Sequence, residues 1–386
     1  MAKLGELGKI ITGNTPKTSD AQNYESNDIC FVKPSDFTDN EITEIHQSEF
    51  YISAYAKDKA RVLPTDSILV TCIGIIGKVA INKVPCAFNQ QINAIIPERK
   101  ICDPRYVAYA IQNVQPQMQN TANAAVVPIL NKTQFSNIEI PLPSLETQKQ
   151  IVEFLDKVTS LISLRKQQLA KLDELVKARF VEMFGDFEVN PKEFPVYHLC
   201  ELCDVGSSKR IYQEEQSISG IPFLKVADLN ELIDTGKYLC STFIPLERYE
   251  QLLHKELTPK ENDILITSRG TLGKCYIVQS DDEFYFQDGM ISWLSNLSPK
   301  VSSIYISYLF AQPYIQKQIE SLQAGSTVAY LSIAMLKKMN VILPPKKLQD
   351  DFATFVEHVD QQKQTVQQSL EKLELMKKAL MQEYFG

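Results

Sequence analysis

No stretch of the sequence gathers the roughly 20 consecutive apolar residues that a membrane-spanning helix needs. The opening residues, Met1-Ala2-Lys3-Leu4-Gly5-Glu6, lack the apolar core of a signal peptide, and the expectation is a cytoplasmic protein. The usual marks of catalysis are missing as well. There is no glycine-rich phosphate loop, no helicase-type nucleotide site and no Asn-Pro-Pro-aromatic motif of the kind that base-amino methyltransferases use on an extruded base. His46, His198, His254 and His358 are scattered and accompany no suitable nucleophile. Asp186, Glu188 and Lys192 form a loose acid-acid-lysine string, as in nucleases, but they fall where a helix ends and a linker begins. Cys200 and Cys203 make a single C-x-x-C, with no second pair or nearby histidine to complete a four-ligand zinc site. No catalytic and no metal-ligating residue is therefore assigned. The eight cysteines are Cys30, Cys72, Cys86, Cys102, Cys200, Cys203, Cys240 and Cys275. Several lie inside apolar runs such as Leu69-Val70-Thr71-Cys72-Ile73, so they read as small buried hydrophobes rather than as disulfide partners.

What is present is a folded composition, 44% hydrophobic and 23% charged, over 386 residues, which is room for two cores with connecting elements. The strongest feature is internal repetition. Leu142-Pro143-Ser144-Leu145-Glu146-Thr147-Gln148 returns as Leu343-Pro344-Pro345-Lys346-Lys347-Leu348-Gln349, with the two glutamines 201 residues apart. The same offset holds without a gap for about forty residues, through Phe154 and Phe355, Leu172 and Leu373, to Phe184-Gly185 and Phe385-Gly386. Upstream the copies match more loosely. Phe31-Val32-Lys33-Pro34-Ser35-Asp36 resembles Phe223-Leu224-Lys225-Val226-Ala227-Asp228, and Ile68–Lys78 resembles Ile264–Lys274, with loops of different length between them. The chain is two copies of one unit whose tails agree while their leading parts diverge.

The tails have the pattern of long helices. In the first, Ile151, Val158, Arg165, Leu172 and Arg179 recur every seven residues beside Leu155, Ile162, Leu169, Val176 and Met183, a mostly apolar seam. In the second, Phe352, Val359, Val366, Leu373 and Leu380 run beside Val356, Lys363, Leu370, Lys377 and Tyr384. Ser144 is placed to cap the first helix and Gly185 to stop it. The leading parts read as mixed α/β. Strands are expected at Cys30–Lys33, Ile68–Thr71, Val79–Ile81 and Ile92–Ile96, and again at Phe223–Val226, Ile264–Thr267 and Tyr276–Val278. Helices are expected at Arg105–Gln112 and at Ile304–Gln318, broken near Pro313. Strand order does not follow from the pattern.

Those residues carry a resemblance over the whole chain. A variable domain ending in Leu-Pro-x-Leu-x-x-Gln and a long helix, followed by a second such domain and helix, is similar to the specificity subunit of type I restriction-modification systems. Gly13-Asn14-Thr15-Pro16, the Phe31–Asp36 segment, Gly77-Lys78 and Asn89-Gln90 resemble its recurring motifs, in order and, in part, in duplicate. The second copy departs from them with Gly206-Ser207-Ser208-Lys209 and Phe286-Gln287-Asp288. The resemblance implies an α+β fold with a pseudo-twofold internal repeat: target-recognition domains at 1–144 and 190–344, separated by helical spacers at 145–189 and 345–386 that form an antiparallel coiled coil. It implies that each domain reads half of a split site in double-stranded DNA. It further implies that the helices set the spacing and dock two methyltransferase subunits, with a restriction-translocase subunit joining them. S-adenosylmethionine, ATP and magnesium would belong to those partners, with no cofactor and no catalysis in this chain. A helix of about 40 residues is roughly 60 Å long, so half-sites read from its two ends would not be adjacent; unlike repeats would give an asymmetric target.

Base edges are read by Arg, Asn and Gln, which places the candidate DNA contacts in polar turns. In the second copy these are Thr267, Ser268, Arg269 and Thr271, with Arg269 set for guanine, its plainer reading being a surface ion pair. The matching turn of the first copy, Cys72-Ile73, is apolar, so that domain is expected to read elsewhere, through Asn14, Thr15, Lys17, Asn89, Gln90 and Gln91. Ser208, Lys209, Arg210 and Tyr212, the paired Lys78 and Lys274, the paired Lys33 and Lys225, and Gln287 complete the set as phosphate or base contacts; a solvated charge is the simpler alternative for the lysines. Ala324-Gly325-Ser326-Thr327, answering Ala122–Ala125, would lay a backbone amide near a phosphate or form a simple turn. A coiled-coil scaffold whose globular domains bind proteins is the rival reading, and the acidic pI near 5.4 favours it over an unaided DNA binder. The same recognition subunit would also serve a modification-only or a combined cutting-and-methylating system.

Overall fold

The computed structural model of the chain describes residues 1–39, 41–122, 127–323 and 329–386. It divides into two compact units, Met1–Gln167 with Val366–Gly386, and Gln168–Thr365. Each unit takes part of both long helices, Leu145–Phe184 and Lys346–Phe385.

In the first unit, strands Gly8–Thr12, Ile92–Pro97, Ile68–Thr71, Val79–Asn82 and Thr43–Ile45 lie side by side in that order, all antiparallel except the last pair. Their side chains alternate between two cores, as a period of two demands. Ile68, Val70, Val79, Ile81 and Ile95 pack with Tyr106, Val107 and Ala110 of helix Pro104–Asn113. Leu69, Ala80 and Ala94 pack with Val32 and Phe88 of a second sheet, Tyr51–Ile52, Ile29–Val32, Cys86–Phe88 and Val62–Leu63. Being covered on both faces explains why these strands read as unbroken apolar runs.

The second unit repeats the plan. Asp204–Gly206, Ile291–Ser295, Ile264–Thr267 and Cys275–Ile277 form one sheet; Phe243–Ile244, Ile221–Leu224 and Tyr285–Phe286 form the other. Expected strands and helices are found with small shifts, and Pro313 opens a separate helix, Pro313–Leu322, after Ser303–Phe310. One expectation fails in part: Val226 is not in the strand but begins the helix Val226–Thr235. The shared Lys-x-x-Asp explains this, because Asp228 accepts from the Lys225 N–H at 2.8 Å and so caps a helical turn. Asp36 does the same for Lys33 at 2.7 Å, where the helical turn is limited to Pro34–Asp36.

The long helices pack on each other within both units. In the first, Ile151 and Leu155 share a core with Leu380, Met381, Tyr384 and Phe385, and Lys166 reaches Glu374 at 3.4 Å. In the second, Leu172, Val176 and Phe180 share a core with Phe352, Val356 and Val359, and Lys363 pairs with Asp173 at 2.5 Å. Numbers rise on one helix as they fall on the other, so the pairing is antiparallel. Ile151, Leu155, Val158, Ile162, Leu172, Val176, Phe352, Val356, Val359, Val366 and Leu370 are buried, while Leu169, Leu373 and Leu380 are half-buried. The heptad pattern did not disclose the aromatic ends: Phe184 stacks edge-on against Tyr305 at 5.1 Å, and Phe385 lies 5.2 Å from Tyr106.

Each long helix is fastened to its own domain by the repeated glutamine. Gln148 is fully buried; its Oε1 accepts from the Asp103 N–H at 2.9 Å, and its Nε2 donates to the carbonyls of Pro143 at 2.8 Å and Ile101 at 3.1 Å. Gln349 makes the same three bonds to the Ser302 N–H, Pro344 and Lys300 at 2.9, 2.8 and 3.0 Å. Asp103 and Ser302 are the caps of the helices that cover each sheet. Replacing either glutamine by leucine leaves a part-buried N–H and two carbonyls without partners, at a cost on the order of 3 kcal/mol. Denaturant unfolding of Q148L and Q349L should show that loss in each; wild-type stability in either would contradict the clamp.

All eight cysteines are free. Burial pushes Cys72, Cys86 and Cys203 up to about 12 and Cys102 to about 11, whereas Cys200 is exposed, so the C-x-x-C does not present two thiols to one side. A thiol reagent at pH 8 should therefore label Cys200 first in the native chain. Equal labelling of Cys72, Cys86, Cys102 and Cys203, identified by peptide mapping, would contradict this packing.

Candidate nucleic-acid interface

Three loops meet at one end of the sheets in both units; the turn and the second loop are joined by the same backbone bond in each, while the first loop is held by different bonds. In the second unit the turn after Ile264–Thr267 joins the loop 287–290 through Ser268 N–H to Met290 O at 2.9 Å. That loop in turn holds the segment after Asp204–Gly206, since the Gly289 N–H donates to Ser207 Oγ at 3.1 Å and Arg210 pairs with Asp288 at 3.0 Å. In the first unit the Cys72 N–H donates to Gln91 O at 2.7 Å, and the Asn14 N–H to Phe88 O at 3.0 Å. The second copy's loop is one residue longer: Gln287 takes the place of Asn89, donating to Leu224 O as Asn89 does to Val32 O, yet Met290 takes the place of Gln91.

This geometry sorts the candidates. Arg269 is exposed, and its guanidinium donates to Met290 Sδ at 3.8 Å. Thr271, two residues on, is exposed as well, and so are Lys209 and Tyr212 on the adjoining loop. Lys225 is exposed on a neighbouring turn, and Gln287 is half-buried. In the first unit Thr15, Lys17 and Gln90 are exposed, and the Thr15 hydroxyl donates to Gln90 Oε1 at 2.7 Å.

Other candidates are held by the fold. Thr267 and Ser268 are fully buried; Thr267 Oγ1 accepts from the Lys274 N–H at 3.0 Å, and Ser268 Oγ lies 2.7 Å from Ser292 Oγ. Ser208 donates to Phe286 O at 2.6 Å. The Asn14 amide is spent on Lys59 O and the Arg61 N–H, and the Asn89 amide on Gln91. Lys78 and Lys274 each sit on a carboxylate, Asp39 at 2.7 Å and Asp234 at 2.6 Å, and the Lys33 ammonium stands 3.1 Å from the centre of the Phe50 ring. These lysines would have to give up their partners to reach a phosphate. Lys209 is aimed by its own backbone: its N–H donates to the hydroxyl of Tyr285, which burial raises above the usual phenol range and so keeps neutral. Ala324–Thr327 and 123–125 lie outside the described residues.

Sequence reasoning missed Tyr330 and Ile129. Each bridges the turn in its unit, Tyr330 to Arg269 and Ile129 to Ile73, and each is exposed. The signal was available in the 201-residue offset that relates them. No group of three or more His, Cys, Asp or Glu among the described residues is arranged to hold a metal ion, and no helix among them is long and apolar enough to cross a membrane.

Comparison with known proteins agrees with this duplicated plan. The specificity subunit of the type I restriction enzyme MjaIX of Methanocaldococcus jannaschii is 24% identical over 380 residues, covering 92% of this chain and 85% of that one. That of HindI of Haemophilus influenzae is 31% identical over 188 residues, covering 47% and 40%. Among solved structures, a type I restriction-modification S subunit from M. genitalium has a TM-score of 0.59 at 14% identity, covering 100% of this chain and 95% of that one. A chain from a study of assembly and conformational transition in the type I system has a TM-score of 0.60 at 15% identity, covering 99% and 96%. At such identity the likeness establishes the fold. The sequence profile of the type I restriction modification DNA specificity domain matches twice, at residues 1–174 and 191–375, and the chain belongs to that family.

Proposed function

We propose that this chain is the non-catalytic DNA-reading subunit of a type I restriction-modification complex, each domain reading one half of a bipartite, asymmetric site. The observation that carries the reading is the loop constellation described above. Its turn and second loop are fixed by the same backbone hydrogen bonds in both units, yet the constellation offers different side chains: Arg269, Lys209 and Tyr212 in one, Thr15, Lys17 and Gln90 in the other. A constant frame with variable tips suits two readers of different bases. The long helices serve as the ruler between half-sites and as the docking face for two methyltransferase subunits, through which restriction-translocase subunits join. Supporting that role, Phe154, Leu161 and Leu164 in the first unit and Leu175 and Val181 in the second stay exposed outside the helix seam. S-adenosylmethionine, ATP and magnesium act on those partners, and the assembly works on DNA in the cytoplasm.

Charge divides the labour further. Residues 1–144 carry 13 Lys and Arg against 14 Asp and Glu, and residues 190–344 carry 14 against 18. Acidic domains neutralise phosphates poorly, and counterion release supplies most non-specific affinity. This subunit therefore contributes discrimination, and its partners contribute most of the phosphate grip. Binding measured against salt should give a shallow slope and weak affinity for the isolated chain, and a steep slope and tight binding for the complex. Tight, sequence-specific binding by the chain alone at physiological salt would overturn the division; salt-independent behaviour of the complex would favour the protein-binding scaffold.

Arg269→Ala provides a local test. A bidentate contact to guanine is worth about 1–3 kcal/mol, so affinity of the complex for its site should fall about tenfold or more, with relaxed preference at one base pair. Unchanged affinity and preference in a fully assembled complex would remove Arg269 from the interface.

A further inference from the structure

The two copies of the turn differ in chemistry but not in frame. Gly74 and Gly270 both adopt positive φ, +77° and +73°, and a Cβ added at either would meet nothing within 4 Å, so each tip stands in open space. Behind the tips, the Gly77 and Gly273 N–H groups donate to Thr71 O and Thr267 O at 2.8 and 2.9 Å. The Leu130 and Leu331 N–H groups donate to Cys72 O and Ser268 O at 2.8 and 3.0 Å. On this shared scaffold Ile73 replaces Arg269, Ile75 replaces Thr271 and Ile129 replaces Tyr330. Ile75 is 59% exposed and Ile129 49% exposed. An apolar group set in the place of a base-reading arginine cannot hydrogen-bond to a base edge. Of the four bases, thymine presents an apolar group in the major groove, its 5-methyl.

We infer that the first domain identifies its half-site through thymine methyl groups received by Ile73, Ile75 and Ile129, where the second domain uses Arg269. The inference rests on the DNA-reading function proposed above and names its chemistry. A second feature of the same site agrees with it: Cys72 is hydrogen-bonded to the loop that carries exposed Gln90, and glutamine is the side chain that pairs with adenine. The first half-site should therefore include A·T pairs and the second a guanine.

The test begins with selection of the target from random duplexes by the complex with its partners; the half-site relaxed by Arg269→Ala belongs to the second domain. Thymines of the other half-site are then replaced one at a time by uracil, which removes only the methyl. At one or more positions binding should weaken about fourfold, the worth of one buried methylene-sized group. Ile75→Ala and Ile129→Ala, both at exposed positions, should abolish the difference between thymine and uracil while leaving recognition of the second half-site intact. A first half-site without thymine on either strand, or one in which uracil is tolerated everywhere, would overturn the inference. So would variants that impair assembly with the partners yet keep the thymine preference, because the isoleucines would then face protein. Absence of any sequence preference in the wild-type complex would instead overturn the DNA-reading function itself.

Discussion

The buried glutamine at the root of each long helix is the contact on which the rest of the architecture depends. A side-chain amide in a dry environment must satisfy both its oxygen and its nitrogen or cost stability. Gln148 and Gln349 do so with the main chain of two other segments, the entry to the covering helix and the proline-rich turn before the long helix. The bonds are directional, so they fix where the long helix leaves the domain, which apolar packing alone would leave adjustable. The tyrosines Tyr106 and Tyr305 extend the same arrangement, donating to Pro141 O at 3.0 Å and Ile342 O at 2.5 Å while receiving Phe385 and Phe184 on their rings.

Fixing the helix root separates what must stay constant from what is free to vary. The constant parts are the clamp, the antiparallel seam and the backbone bonds that fix the turn and the loop beside it. The variable parts are side chains projecting from those loops, which no core contact constrains. Thr71 and Thr267 illustrate the first class: both accept a lysine backbone N–H and hold a turn. Ile73 and Arg269 illustrate the second, at one position of the same turn. A protein built this way changes its preferred ligand at small risk to its fold.

The fold was legible in the sequence where chemistry repeats. The 201-residue offset, the seven-residue seam and the capped helix starts located the elements that the structure contains. Strand order was not legible, because buried strands read alike on both faces and pairing is decided by tertiary packing. The site was legible only in outline. Arg269, Lys209, Thr15 and Gln90 stand at the loops that the motifs indicated, but the side chains of Thr267, Ser268, Ser208 and Asn89 are taken up in hydrogen bonds within the fold. Lys78 and Lys274 follow a glycine in both copies, which drew attention to their ammonium groups; the structure gives each a carboxylate from a segment that the pattern did not connect to it.

The central claim is that the two domains read DNA independently on a common helical frame. It is tested most directly by exchanging residues 190–344 for the corresponding domain of another family member and determining the site modified by the assembled complex in host DNA. The account predicts that one half-site changes while the other half-site and the gap between them are kept. A change in both halves, or in neither, with an intact complex would contradict it.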